Sequence, residues 1–347
     1  MSATVPTAFV TGASGFVGAN LVRALLAGGW HVRALVRGDA PSLAGLDVEL
    51  VHGDLFADLL PEAMSGCDVM FHLAAAYSLW HRDQRDVLLT NVLGTRHALQ
   101  AAVRAGVPRT VYTSSVAAIG VRRDGLPADE THQVSFDELI GTYKRSKYLA
   151  ELEARHAAAG GQDVVIVNPT TPVGPWDAKP TPTGEIIVRF LNGRMPAYVD
   201  TGLNVIDVRD VAVGMIRAYE RGASGERYIL GHENLTLREL LERLAAVAGR
   251  RAPRLRLPHA IPLAYAALGE HVLARFGIAP DVSVESVRMA KQRMFYDAQK
   301  AVRELGLPQS SVAEALADAV SWFRDHGYVA RDSRSAEDRW RSLSSKQ

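Results

Sequence analysis

Short apolar, β-branched runs alternate with longer stretches of helical periodicity through the first 170 residues. "TAFVT" (7–11), "HVRALV" (31–36), "VELVH" (48–52), "DVMFHLA" (68–74), "TVYTSS" (110–115) and "DVVIVN" (163–168) read as strands, with helical patterns between most of them. Strand and helix in alternation imply right-handed crossovers and a parallel sheet covered on both faces. The expected fold class is α/β, a doubly wound parallel sheet whose ligands bind at the carboxyl ends of the strands.

The texture changes after residue 167. "NPTTPVGPWDAKPTPTG" (168–184) holds five of the sixteen prolines, which rules out helix and most strand pairing and marks a loop-rich boundary. Helical patterns dominate beyond it. In "TLRELLERLAAVAG" Thr236 and Glu239 form a capping box before an apolar stripe, and "VAEALADAVSWFRDHG" (312–327) ends on a glycine suited to a left-handed helix end. The expected division is a first domain over 1–170, to which some later segments return, a smaller, mostly helical substrate-binding region over 171–330, and a flexible tail over 331–347.

Composition changes this picture mainly by exclusion. With 48% hydrophobic and 22% charged residues the 347-residue chain is neither disordered nor membrane-embedded. No apolar run reaches the roughly 18 residues that span a bilayer, and "MSATVPTAFVTGASG" has no basic segment followed by an apolar stretch and cleavage site. The expectation is a cytoplasmic protein with no membrane span. Cys67 is the only cysteine, so an intramolecular disulfide and a cysteine-based metal site are both excluded, and no metal is expected. Thirty-nine basic against thirty-eight acidic residues leave no chain-wide nucleic-acid footprint. Any anion must be met locally, and the expected partner is a small-molecule substrate.

Local chemistry begins at the first turn. "FVTGASGFVGANLVRALLAGG" places Gly12, Gly15 and Gly18 between a strand and an amphipathic helix. Gly12 permits the tight turn, Gly15 lets a pyrophosphate approach the backbone, and Gly18 lets the helix pack closely on the sheet. The spacing is G-x-x-G-x-x-G, one residue longer than G-x-G-x-x-G, and its context points to a dinucleotide. At the end of the second strand, "RALVRGD" has Val36 and Arg37 where an NAD-preferring domain has an acid. A guanidinium there can pair with a 2′-phosphate, which favours NADP over NAD, with Asp39 as the alternative acidic partner.

"GTYKRSKYLAE" (141–151) supplies the second feature. Tyr143 and Lys147 are four apart and share a helix face, which leaves Lys144 and Arg145 as expected surface charges. The chain has only six lysines against thirty-three arginines, so the pairing is unusual. A nearby ammonium lowers a tyrosine pKa and suits it to exchange a proton with a carbinol while a nicotinamide exchanges hydride. Ser114 and Ser115 end the fifth strand, where a hydroxyl can hold a substrate oxygen near Tyr143. A non-catalytic NADP-binding regulator would keep the glycines but need not keep Ser115, Tyr143 and Lys147 together.

In combination these residues resemble the extended short-chain dehydrogenase/reductase family, through "TGASGFVG", "HGDL", "HLAA", "NVLGT", "YTSS", "YKRSK" and "NPTTPVGP" in family order. The resemblance implies a Rossmann domain that binds NADP or NAD, with Ser115 orienting the substrate oxygen, Tyr143 as acid/base and Lys147 as its electrostatic partner. It also implies that Asp54 meets the adenine, that Ala74 and Ala75 line the cofactor, and that Pro169 and Thr170 close around the nicotinamide. Ser14, Phe16, Leu55, Thr113 and the helix asparagine Asn91 join the implied cofactor set. Within the family, "KPTPTG", "FLNGRMPAYVDTGLN", "GERYILGHENLTL" and "VRMAKQRMF" are most similar to hopanoid-associated sugar epimerases and to dihydroflavonol reductases. The expected activity is hydride transfer on a small hydroxyl or ketone substrate, by an epimerase with retained cofactor or a reductase that exchanges NADPH. Tyr77, Trp80, His81, Trp176, Lys179 and Tyr198 are the candidate substrate contacts. A homodimer through the helices carrying Asn91 and Tyr143 is implied by the same resemblance.

Overall fold

The structure is a computed structural model that describes residues 5–77, 84–273 and 284–330, with only the backbone of 270–273. Strands β1 (Thr7–Thr11), β2 (His31–Val36), β3 (Glu49–His52), β4 (Val69–His72), β5 (Arg109–Thr113) and β6 (Val164–Pro169) all fall within one or two residues of the apolar runs. β7 (Thr171–Val173), β8 (Ala197–Val199) and β9 (Gly202–Asp207) then leave the sheet, and β10 (Arg227–Leu230) returns to it. The seven strands lie in the order β10-β6-β5-β4-β1-β2-β3, every pair parallel. The order reverses between β1 and β4, which is the topological switch point where such sheets open a ligand crevice. Phe9, Val10, Met70, Phe71, Val111, Val165 and Ile166 are wholly buried, as continuous apolar runs demand of a sheet covered on both faces.

The faces are covered by different helices. Three helices, α1 (Phe16–Ala27), α2 (Leu60–Met64) and α3 (Gln84–Leu88), precede a π-helical turn over Leu89–Leu93, α4 (Gly94–Arg104) and α5 (Thr142–Ala159). Leu60, Met64, Leu99, Ala102, Ala150 and Ala154 of α2, α4 and α5 pack against one face of the sheet. After α6 (Pro182–Leu191) comes α7 (Val208–Arg221), whose Val211, Met215 and Ala218 join Leu21 and Leu25 of α1 on the other.

A second core lies beyond the sheet. α8 (Leu237–Ala248) and α12 (Val312–Asp325) press Leu240, Leu241, Leu244, Leu316, Val320 and Phe323 together with Ile187 and Phe190 of α6. Thr236 and Glu239 exchange the two hydrogen bonds of the capping box, and Gly327 follows α12 at φ +80°. β11 (Glu233–Thr236) leads into α8, and β12 (Leu255–Leu257), α9 (Ala260–Leu273), α10 (Val284–Met289), β13 (Arg293–Met294) and α11 (Gln299–Leu305) run between α8 and α12.

Two findings depart from the sequence reading. "RYIL" is a fully buried sheet strand in a region that reads as helical, because four residues carry too little periodicity to register. The proline-rich stretch also pairs, as β7 aligns Pro172 with Ile206 of β9 in a three-residue parallel ladder. Pro182 then opens α6 at a position where its missing N–H is not needed. The tail over 331–347 lies outside the described residues.

Candidate active site

The glycine loop closes tightly over the end of β1. Gly12 has φ +70°, and a Cβ there would lie 2.7 Å from the Ala74 nitrogen, so only glycine brings the β1 and β4 ends this close. A Cβ on Gly18 would collide with the Gly12 carbonyl, which makes that position the contact between α1 and the loop. Gly15 caps α1 without any side-chain acceptor, and Ser14 and Gly15 are exposed. The first N–H groups of α1 are thus left to an anion, and the cradle fits a dinucleotide pyrophosphate. Replacing Gly18 with Ala is expected to cost about 1–3 kcal/mol in urea unfolding, because the added methyl meets backbone rather than a movable side chain.

The remaining implied cofactor residues ring the carboxyl edge of the sheet. Arg37 follows β2 and is exposed, with no ion pair among the described residues. Asp54 is exposed and accepts a hydrogen bond from the Phe56 nitrogen at 2.8 Å, which fixes the turn after β3, while Leu55 is buried against Gly94. Thr11 Oγ1 accepts from the Leu73 and Ala74 nitrogens and pairs with His72 Nδ1 at 2.7 Å. Burial pushes His72 down to about 3, so its ring is neutral and serves as a fixed link to Thr95. Thr113 Oγ1 is buried without a partner, and Thr170 bonds the Leu230 carbonyl next to Pro169.

Ser115, Tyr143 and Lys147 converge. The Ser115 hydroxyl lies beside that of Tyr143 and accepts from the Ala117 nitrogen at 3.1 Å. Lys147 Nζ donates to the Thr113 carbonyl at 2.8 Å and lies 5.2 Å from the centre of the Tyr112 ring. Burial draws the Lys147 ammonium down to about 8, with Glu151 acting in the opposite direction. For Tyr143 the sequence expectation of a lowered pKa is overturned. Burial raises it, and the neighbouring Ser115 hydroxyl only partly offsets the shift.

Lys144 is a further correction. It is 8% exposed rather than a surface charge, because α10 folds over the start of α5 and brings Glu285 toward it. The Glu285 carboxylate sits where a side chain on Gly141 would be. Arg145 bonds the Leu139 carbonyl and covers the Phe136 ring.

Asn91 occupies the π-helical turn and is buried. Its amide accepts from the Ala76 nitrogen at 2.7 Å and donates to the Ala76 carbonyl at 2.9 Å and to Ser146 Oγ at 2.8 Å, and Ser146 in turn donates to the Tyr143 carbonyl. All its donors and acceptors are held by protein, so it positions α5 against the β4 loop.

Of the candidate substrate contacts, Tyr77 stands edge-on to Tyr143 with ring centres 4.6 Å apart. Trp80 and His81 lie outside the described residues. Trp176 is placed elsewhere, at φ +76° with the Arg23 guanidinium 3.5 Å above its ring and Trp322 beside it. It packs between α1 and α12. Lys179 is exposed, and Tyr198 is half-buried on β8 against the second core.

Glu151 was missed, although the spacing 143, 147, 151 already put it on the same stripe. It accepts from Ser114 Oγ at 2.6 Å, from Asn168 Nδ2 at 2.7 Å and from Arg227 at 3.2 Å, all buried. Asn168 also donates to the Ser115 carbonyl at 3.0 Å. One carboxylate therefore ties together the ends of β5 and β6, helix α5 and strand β10.

The model of the NAD dependent epimerase/dehydratase family matches residues 8–231, from β1 to the end of β10. The chain belongs to that family. A "Putative dihydroflavonol 4-reductase" of Synechocystis is 57% identical over 92% of this chain and 95% of its own. "Sterol demethylase protein B" of Methylococcus capsulatus is 39% identical over 93% of this chain and 100% of its own. Among solved structures, DesIV (dTDP-glucose 4,6-dehydratase) from Streptomyces venezuelae, with NAD bound, superposes with a TM-score of 0.74 at 27% identity, over 93% of this chain and 98% of that one. The protein is an NAD(P)-dependent oxidoreductase or epimerase of the extended short-chain dehydrogenase/reductase type. Among the described residues no helix is long and apolar enough to cross a membrane, and no cluster of candidate metal ligands occurs.

Proposed function

We propose that this family member is an NADPH-dependent reductase that converts a carbonyl to an alcohol and exchanges its cofactor at each turnover. The observation that carries this reading is the Tyr143 hydroxyl placed beside Ser115 and on the same helix stripe as Lys147, with burial raising the phenol rather than lowering it. A protonated phenol is a general acid, the role that reduction of a carbonyl requires. Bound in the glycine cradle, the nicotinamide cofactor supplies the hydride. Ser115 orients the substrate oxygen, Tyr143 gives it a proton, and the Lys147 ammonium stabilises the phenolate left behind. The loop shaped by Gly12 and Gly18 holds the pyrophosphate over Gly15, and Arg37 holds the 2′-phosphate, as its position at the end of β2 supports. The high identity to a protein named as a dihydroflavonol reductase supports the same direction of reaction.

Arg37→Ala is the cofactor test. Loss of a charged hydrogen-bonding partner of about 1.5–3 kcal/mol corresponds to a KM for NADPH raised about 10- to 100-fold, with the KM for NADH unchanged. Equal effects on both cofactors reject the assignment of NADPH. Recovery of the purified protein with tightly held, non-exchanging NAD replaces the reductase by an epimerase.

A further inference from the structure

Helix α9 turns an apolar side to solvent. Ile261, Ala264, Tyr265 and Leu268 follow i, i+3, i+4, i+7 spacing and form one stripe, with Ile261 54%, Tyr265 63% and Leu268 67% exposed. A helix on a soluble surface carries its polar residues there. The segment leading into it is charged with one sign. Residues 248–269 contain Arg250, Arg251, Arg254 and Arg256 and no aspartate or glutamate, in a chain whose net charge is +1.

Arg251 and Arg254 are exposed and make no ion pair among the described residues. Arg256 shares Asp200 with Arg293, and Arg250 has contacts of its own within the protein. Leu255, between Arg254 and Arg256, is also exposed.

We propose that α9 and the arginines before it dock on an anionic bilayer surface, with the apolar stripe at the acyl boundary and the guanidinium groups among the headgroup phosphates. Guanidinium pairs with phosphate through two parallel hydrogen bonds, and apolar burial supplies the second contribution. A helix of 14 residues is about 21 Å long, too short to span the hydrocarbon core, so it lies in the interface. Charge decides against a second copy as the occupant. An isologous contact through α9 would set two arginine-rich segments facing one another. The docking element is joined to the active site, since α9 packs on α10 and His259 Nε2 bonds the Ala290 carbonyl at 3.1 Å. α10 carries Glu285 onto Gly141 beside Tyr77 and Lys144.

The test is sedimentation of the full chain with vesicles, a readout independent of turnover and of the cofactor assignment. Vesicles of phosphatidylcholine with about one third phosphatidylglycerol are expected to carry the protein down at low salt, and pure phosphatidylcholine is expected to do so weakly. Arg251→Ser with Arg254→Ser lowers the partition constant by about tenfold or more, from roughly fivefold per charge. Ile261→Glu with Leu268→Glu abolishes pelleting while the melting temperature stays within a few degrees, since both residues are exposed. Absence of pelleting with the anionic vesicles overturns the proposal. So does equal binding to both lipids, or a dimer by light scattering that the Ile261 and Leu268 variant converts to monomer, which would assign the stripe to a second copy.

Discussion

Tyr143→Phe is expected to lower kcat by about 10²–10⁴-fold, the contribution of a positioned general acid, while NADPH binding measured by fluorescence titration is unchanged. The substitution removes one oxygen from a half-buried ring whose packing against Tyr77 is retained, so loss of fold is not a competing explanation. Ser115 loses a polar neighbour but keeps the bond from the Ala117 nitrogen. A variant with near-normal kcat would remove Tyr143 from the chemistry and leave Ser115 or a bound water as the proton donor.

The largest expected effect on stability belongs to Glu151→Leu, at about 3–5 kcal/mol in urea unfolding at neutral pH. Removing one member of a buried ion pair leaves the other charged and undersolvated. Arg227 would retain only the Glu130 and His132 carbonyls, and Ser114 and Asn168 would lose their shared acceptor. Adding Arg227→Leu to Glu151→Leu is expected to return part of the loss, because the uncompensated charge is then gone. If the double variant is no more stable than the single one, the hydrogen bonds to Ser114 and Asn168, rather than the ion pair, carry the energy.

What could be read from the sequence divides along physical lines. The six strands of the first half were legible because a parallel sheet buried on both faces needs uninterrupted apolar runs, and such runs are hard to mistake. The glycine loop was legible for a similar reason, since Gly12 and Gly18 are excluded from any other residue by backbone atoms close by in the chain or across one strand. Lys144 was misread because helical spacing reports which residues share a face but not what covers that face. The cover is α10, some 140 positions later in the chain, with Glu285. Tyr143 was misread in a different way. Spacing brought a cation to the same stripe and so suggested a lowered pKa, whereas loss of water around the ring raises it and only Ser115 acts the other way. Trp176 shows the limit for aromatic residues, as nothing in "GPWDAK" distinguishes a substrate contact from a ring stacked under Arg23.

The π-helical turn at Leu89–Leu93 has a consequence for how this active site tolerates insertion and deletion. A π turn is an α-helix carrying one residue more than its hydrogen-bond pattern requires. Deleting a single residue there would remove the bulge and restore the α pattern, leaving the helix faces on either side near their present setting but not the residues of the bulge itself. Asn91 would then swing away from Ala76 and Ser146, and α5 would lose its tether to the β4 loop without any catalytic residue having been altered. The tether beneath Tyr143 thus depends on a count, one surplus residue in a neighbouring helix, as much as on the identity of any side chain.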